Sequence, residues 1–194
     1  MTKDPSDLED IEKIQEFLAG DSRAFEFLFD KHRERVYGVA FRFVKHQEDA
    51  LEITQEVFIR AYQGLAKFKT DSKFFTWLYR IAVNRAIDHI RSRKARPSVE
   101  MPHGEDGSLA DRVANTRSVD PSVTLERKET AARLLEAVSR LSEKHRAVFV
   151  LHAVEQLSYK EIAEVVDCSI GTVMSRLFYS RKKLQQFLAT DGAF

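Results

Sequence analysis

Glycine, proline and cysteine are scarce in this sequence, and each scarcity excludes a class of protein. Seven Gly and four Pro among 194 residues argue against a turn-rich β-fold. The single cysteine, Cys168, excludes an internal disulfide and a cysteine-built zinc site, and a reducing, cytoplasmic location is the default. No apolar run reaches the length of about eighteen residues that a membrane span needs, so we expect no membrane insertion. The acidic residues that follow Lys3 are unlike a signal peptide.

Signatures of catalysis and of metal binding are also lacking. The sequence has no Gly-rich phosphate loop, no Ser/His/Asp signature and no HExxH pair among its six histidines. His145 and His152 could share a helix face, but no third ligand lies nearby. We therefore expect a protein that is not an enzyme, with no catalytic residue, metal or cofactor.

The net charge is only +1, yet the charges are segregated along the chain. Asp4–Asp21 holds seven acids and one base, and Pro97–Glu126 holds six acids and two bases. Phe74–Arg96 has a net charge of +5, and Ser169–Lys183 has four bases and no acid. Two basic helices are thus set against acidic segments. We expect such a protein to bind DNA weakly alone and strongly only when a partner reorganises it.

Apolar residues at helical spacing predict an all-α fold with two small helical domains. Four helices form the first domain, residues 8–95: Leu8–Ala19, Ser22–Val44, Gln47–Leu65 and Phe74–Arg96. The first helix has an apolar stripe with members Leu8, Ile11, Ile14 (or Gln15) and Leu18. In the third helix Leu51, Phe58, Tyr62 and Leu65 are expected to face inward, with Ile53, Val57 and Ala61 widening this stripe. Asp49, Glu52, Gln55 and Glu56 are expected to form an outer acidic face.

Residues 96–122 lack this periodicity and contain three of the four prolines, so they are interpreted as a flexible linker. The second domain, residues 123–190, has helices at Val123–Arg140 and from Ser142 to about Glu155. Ser158 and Glu161 then form a capping box that opens a short helix, Tyr159–Val166.

A second helix follows a turn and runs from Ser169 to about Leu188. Its expected core stripe contains Ile170, Val173, Leu177 and Leu184, and its opposite stripe contains Thr172, Ser175, Arg176, Tyr179 and Lys183. An apolar back and a basic front favour a DNA-binding helix-turn-helix over a plain αα-hairpin.

The segment Phe74–Arg96 combines aromatic and basic residues. Trp77, Arg80, Asn84 and Arg91 recur on one stripe, a combination suited to nucleic-acid bases and phosphates. Two questions stay open at this point. The segment is either a nucleic-acid-binding surface or a core helix with a solvated basic face. Trp77 is either a core residue or a DNA-facing one.

Three segments in order, Glu48–Tyr62, Phe74–Arg96 and Leu157–Leu177, resemble the extracytoplasmic-function (ECF, group 4) sigma factors of bacterial RNA polymerase. The resemblance covers residues 8–188. It implies promoter DNA, core RNA polymerase (through the β′ clamp helices and the β flap) and an anti-sigma factor as partners.

The resemblance also assigns roles to individual residues. The polymerase-core binding set is Asp49, Gln55, Glu56 and Phe58. The set that melts and reads the −10 element is Phe68, Lys73, Trp77, Arg80, Asn84, Arg85 and Arg91. The −35 set is Ser169, Thr172, Ser175, Arg176, Phe178, Arg181 and Lys182. Arg176 is the best candidate for a base contact.

The chain departs from the family's usual pattern at two places on the recognition helix. Members often carry Lys or Arg where Met174 stands, and Arg where Tyr179 stands, so no particular −35 sequence is predicted. The alternative function is an autonomous helix-turn-helix regulator that binds operators as a dimer. That alternative leaves the acidic face and the aromatic-basic stripe of the first domain unexplained.

Overall fold

The computed structural model describes residues 5–69, 72–95 and 131–190, and within these residues the chain forms helices and no strand. The N-terminal domain contains α1 (Pro5–Leu18), α2 (Arg23–Val44), α3 (Gln47–Gly64), a 3-10 turn (Leu65–Lys67) and α4 (Phe74–Ala95). The C-terminal domain contains α5 (residues 131–139), α6 (Glu143–Ala153), α7 (Tyr159–Val165) and α8 (Ile170–Thr190). The expected all-α fold with two helical regions is confirmed. The predicted linker, 96–122, lies outside the described residues.

The helices begin and end at residues suited to these positions. Gly20 follows α1 with φ +110°, a left-handed conformation that glycine adopts without strain. The carboxylate of Asp21 then accepts the backbone N–H of Arg23 at 3.0 Å, at the start of α2. Ser158 and Glu161 form the expected capping box, with the Ser158 backbone N–H donating to Glu161 Oε2 at 2.9 Å. Local chemistry therefore fixes where these helices start and stop.

The N-terminal core is built around α2, which packs against α1, α3 and α4. Leu28 and Val36 of α2, Val57 of α3, and Leu78 and Tyr79 of α4 are all 1% exposed or less. Burying apolar side chains of this size contributes about 1.5–3 kcal/mol each, which holds the antiparallel helices together. Tyr79, Val83 and Ala86 of α4 recur at helical spacing and are at most 1% exposed, so they form its buried stripe.

Several apolar positions expected to face inward are exposed instead. Leu51 and Tyr62 of α3 are 46% and 49% exposed, and Leu8 and Leu18 of α1 are 53% and 52% exposed. For Leu8 and Leu18 the prediction was wrong because the buried residues of α1 are Asp7, Asp10 and Ile14. The Tyr62 ring packs against Phe17 and Phe25 but stays half exposed. Helix α3 contacts α2 and α4 through a different side from that of Leu51. Ile53, Val57, Phe58, Ala61 and Leu65 fill that side, and all are at most 4% exposed.

The inner face of α1 carries an ion pair that the pattern did not predict. Asp10 is 1% exposed, and its Oδ2 lies 2.9 Å from Nε2 of buried His32. Lys31 Nζ lies 2.7 Å from the other carboxylate oxygen. Burial alone raises the pKa of Asp10, but the hydrogen bonds from His32 and Lys31 outweigh it and hold the pKa below its usual range. An acidic residue thus docks α1 onto α2.

The helix-turn-helix is formed by α7 and α8, with α6 packed behind both. Val173 and Leu177 of α8 and Ile162 of α7 are at most 2% exposed, and Leu184 is 5% exposed. Ile170, expected in this core, is 47% exposed at the first position of α8.

The two domains pack against each other in this structure. Helix α4 contacts α7, and α2 contacts α6, so that Val148 and Leu151 join the same hydrophobic cluster as the N-terminal core. The guanidinium of Arg146, 8% exposed, donates to the carbonyl of Phe43 at 2.7 Å, near the end of α2. Since the end of a helix leaves unpaired carbonyls with partial negative charge, Arg146 satisfies part of the α2 terminus from the other domain.

Candidate nucleic-acid interface

The first candidate surface lies along α4 and is called the α4 surface here: Phe68, Lys73, Trp77, Arg80, Asn84, Arg85 and Arg91. Arg80 and Asn84 are exposed and Trp77 is half-buried. The helical spacing of three or four residues places Trp77, Arg80 and Asn84 along one face. The stripe inferred from the sequence is therefore present as a surface.

Trp77 belongs both to the core and to the surface. Its ring lies 5.3 Å from that of Phe68 and 5.8 Å from that of Phe74, centroid to centroid. A Cβ added at Gly64 would lie 3.4 Å from the indole, an ordinary van der Waals contact, so the ring lies directly against the end of α3. The outer edge of Trp77 lines a cleft of about 360 Å³ with Thr76 and Arg80. The ring is thus fixed by packing on one side and accessible on the other.

Three basic residues of the α4 surface have acidic partners. Arg85 Nε donates to Glu56 Oε2 at 2.6 Å, so a predicted phosphate contact and a predicted polymerase contact pair with each other. Lys73 lies 3.2 Å from Glu161, and Arg91 lies 3.0 Å from Glu143. The last two pairs join the N-terminal domain to the C-terminal one.

The ion pairs between the domains share one polarity. Among the described residues, each has its base on the N-terminal domain and its acid on the C-terminal domain: Arg35–Glu155, Lys45–Glu136, Lys73–Glu161 and Arg91–Glu143. Glu164 and Asp167 add two further acids across the cleft from Trp77 and Arg80. The C-terminal domain therefore presents to the α4 surface the kind of charge that nucleic acid would present.

The second candidate surface is on α3. Asp49 lies 2.5 Å from Arg93 and 3.1 Å from His89, so α4 neutralises its charge. Gln55 is exposed, Glu56 is half-buried, and Phe58 is 4% exposed. Of the predicted polymerase-core residues, both carboxylates are thus paired with arginines of α4, and Phe58 is in the core.

An apolar feature lies beside these residues, and the sequence pattern missed it. A groove of about 420 Å³ between α2 and α3 is lined by Phe25, Phe29, Gln55, Phe58, Ile59, Tyr62 and Gln63. Ile59 and Tyr62 are 57% and 49% exposed at its rim. Exposed apolar side chains that surround a groove are typical of protein interaction sites. The available signal was the run of three consecutive apolar residues Val57–Ile59, because one buried helical stripe cannot include all three.

The third candidate surface is the front of α8. Ser169 caps the helix, because its Oγ accepts the backbone N–H of Thr172 at 3.2 Å. Ser175, Phe178, Arg181 and Lys182 are exposed, and Thr172 is half-buried. Arg176 is half-buried and donates towards Cys168 Sγ at 3.7 Å. The predicted base-reading arginine therefore lies at the flank of the helix, beside the turn.

The described residues contain no helix long and apolar enough to cross a membrane, and no group of three or more His, Cys, Asp or Glu side chains placed to hold a metal ion.

The fold and these surfaces define a two-domain helical protein with a C-terminal helix-turn-helix. The family model for Sigma-70 region 2 matches residues 28–96, and that for Sigma-70, region 4, matches residues 131–184. The RNA polymerase sigma-H factor of Pseudomonas aeruginosa is 35% identical over 181 residues, 93% of this chain and 94% of the relative. The ECF RNA polymerase sigma-E factor of Escherichia coli is 34% identical over 180 residues, 90% of each chain.

The protein belongs to the sigma-70 family, in the ECF group of RNA polymerase sigma factors. Its function is that of the family, to direct core polymerase to promoters. Solved structures agree with the fold. CnrH in complex with the cytosolic domain of CnrY has a TM-score of 0.68 at 24% identity over 97% of this chain and 99% of that one. RpoE of Bartonella quintana, solved with the anti-sigma factor NepR, has a TM-score of 0.62 at 20% identity over 86% and 98%.

Proposed function

We propose that the three surfaces divide the work of promoter recognition. The α4 surface opens and reads the −10 element, the front of α8 reads the −35 element, and the groove on α3 docks core polymerase. The observation that carries the proposal is the alignment of half-buried Trp77 with exposed Arg80 and Asn84 beside a fixed aromatic cluster. The other two surfaces place the α4 surface at the correct position on the promoter.

The α4 surface has the chemistry that strand opening requires. Taking a base out of the stack costs a few kcal/mol. Stacking on an aromatic ring returns about 1–3 kcal/mol per base. The amide of Asn84 can donate to and accept from a base edge, while Arg80 contributes positive charge for the backbone. Trp77 is held in place before DNA arrives, so little ordering entropy is lost on binding.

Docking on polymerase is assigned to the apolar groove and its polar rim together. Ile59 and Tyr62 are exposed apolar residues, and burying such side chains provides most of the energy of an interface. Gln55 and Gln63 line the same groove, while Asp49 and Glu56 lie on the same helix and pair with basic residues of α4. A partner helix with apolar and basic residues would match this combination.

The packed arrangement of the domains opposes promoter binding. Lys73 and Arg91 are paired with glutamates of the C-terminal domain, and Glu164 and Asp167 share the cleft of Trp77 and Arg80. We therefore include a separation of the domains in the proposed function, driven by polymerase. An anti-sigma factor, which the family resemblance implies, would act in the opposite sense by holding the surfaces covered.

Under this proposal the protein is a cytoplasmic factor that catalyses no reaction itself, because polymerase carries out RNA synthesis.

Reconstituted run-off transcription tests the proposal. Core polymerase with this protein should initiate at defined positions on a library of randomised promoters, and the selected promoters should share two elements. Core polymerase alone is the control. An autonomous regulator would instead bind a palindromic duplex tightly at physiological salt without polymerase and give no run-off product, and that pair of results would refute the proposal.

A further inference from the structure

The front of α8 carries large apolar side chains where a basic helix would be expected. Val173, Leu177 and Ser180 face the core, and Met174 and Phe178 lie away from it, 54% and 64% exposed. These two residues are four positions apart, one helical turn, so they form a short apolar ridge along the helix. Tyr179, 5.5 Å from Phe178 between ring centroids, contacts the phenyl ring edge-on.

Four polar side chains at the start of the same helix make local hydrogen bonds. Ser175 Oγ donates to the carbonyl of Gly171 at 3.0 Å, and the hydroxyls of Ser169 and Thr172 lie 2.9 Å apart. Arg176 donates towards Cys168 and lies at the flank. Beside these engaged groups, Met174 and Phe178 are exposed apolar side chains that have no hydrogen-bonding group to satisfy.

The positive charge of α8 indicates which kind of partner binds over this ridge. Arg176, Arg181, Lys182 and Lys183 give Ser169–Lys183 four positive charges and no negative one. Basic residues on both sides of an exposed ridge fit a DNA duplex, whose phosphates line both edges of the major groove. Within that groove the apolar group is the 5-methyl of thymine, which the other three bases lack.

We propose that Met174 and Phe178 read the −35 element by contact with thymine methyl groups, so that these residues, rather than Arg176, determine specificity at those positions. The proposal rests on the assignment of −35 recognition to α8. Residues one turn apart are separated by about 6 Å along the helix. Successive bases of one strand are about 3.4 Å apart. The two thymines should therefore lie within about two base-pair steps of each other.

Replacement of thymine by deoxyuridine removes the methyl group and leaves every hydrogen-bonding group in place. The holoenzyme is first given a duplex with a randomised −35 region to select its element. Each thymine is then replaced singly by deoxyuridine. We expect one or two replacements to weaken holoenzyme binding about three- to tenfold, which corresponds to the loss of about one buried methyl group.

The variants Met174→Ala and Phe178→Ala should each abolish the deoxyuridine effect at one thymine. Both side chains are more than half exposed, so the variants should fold, and Phe178→Leu should restore part of the effect. Lys182→Ala is the matched control on the same front. It should weaken binding to all sequences alike and leave the deoxyuridine effect unchanged.

Three results would overturn the proposal, and they differ from one another. If deoxyuridine has no effect while binding still depends on the −35 sequence, methyl contact is wrong and the −35 role of α8 stands. If binding does not depend on the −35 sequence at all, the assignment of α8 itself fails. If the alanine variants weaken binding to core polymerase and not to DNA, the ridge is a protein-docking surface.

Discussion

The hydroxyl of Tyr79 donates a hydrogen bond of 2.5 Å to Glu155, which joins α4 to the end of the helix before the helix-turn-helix. Tyr79 is 1% exposed, and the Glu155 side chain is 7% exposed. Arg35 lies 3.3 Å from the same carboxylate and stacks over the Tyr79 ring at 5.7 Å. Burial, followed by the charge of Glu155, raises the pKa of Tyr79, so the phenol stays protonated and remains a donor.

The variant Glu155→Gln should weaken the contact between the domains. The amide keeps the shape of the carboxylate but cannot balance Arg35, so we expect the free energy of unfolding to fall by about 1–3 kcal/mol. Dyes attached at the exposed positions Arg60 and Lys160, with Cys168 replaced by Ser, should move apart in energy-transfer measurements. Glu34→Gln, at an exposed position of α2, is the control. An unchanged dye distance would show that Glu155 does not hold the domains together.

Acid should loosen the same contact before the helices unfold. The hydrogen bond from Lys45 lowers the pKa of Glu136 below its ordinary value of 4.5, against the effect of burial. For Glu161, burial acts to raise the pKa, but hydrogen bonds from Ser158 and the Lys73 ion pair lower it. A depressed pKa stabilises the folded arrangement above the ordinary value, and the stabilisation is lost as pH falls through the folded value.

The dye distance should therefore stay constant above about pH 4.5 and increase below it. Far-ultraviolet circular dichroism, recorded in parallel, reports whether the helices persist. The double variant Glu136→Gln, Glu161→Gln should show a larger distance at neutral pH and a weaker pH dependence. A distance that changes only together with the helical signal would contradict this prediction.

The variant Asn84→Ala should impair opening of the −10 element. The exposed amide is the side chain of the α4 surface best suited to a base edge. Loss of one hydrogen bond of about 0.5–1.5 kcal/mol should reduce initiation on duplex promoters up to about tenfold. Affinity for core polymerase should stay the same. Ser92→Ala, exposed on the same helix, is the control, and unchanged run-off transcription by Asn84→Ala would refute the assignment.

The variant Ile59→Ser should lower the affinity for core polymerase. Burying a side chain of this size contributes about 1.5–3 kcal/mol, so we expect a loss of roughly ten- to a hundredfold in titrations with labelled protein. Leu8→Ser is a matched control, because Leu8 is also an exposed apolar residue, 53% exposed on α1. If both variants bind core polymerase as the unmodified protein does, the groove on α3 is not the docking site.

Local patterns determined the parts of the fold that depend on near neighbours in sequence. The capping box of Ser158 and Glu161, the turn at Gly20 and the buried stripe of Tyr79, Val83 and Ala86 follow from residues within one or two helical turns. The motifs in Glu48–Tyr62, Phe74–Arg96 and Leu157–Leu177 were sufficient to recognise the ECF sigma family. Element type and family could therefore be predicted, while individual site residues stay predictions.

Only the tertiary structure decided which apolar residues are buried and which charged residues form ion pairs. Leu51 and Tyr62 match a helical stripe as well as Ile53 does, but they are 46% and 49% exposed, whereas Ile53 is 1% exposed. Arg85 and Glu56 are 29 positions apart, and Arg91 and Glu143 are 52 apart, so no local pattern could pair them. Burial and ion pairing depend on contacts between distant segments, and the sequence specifies these only through the complete fold.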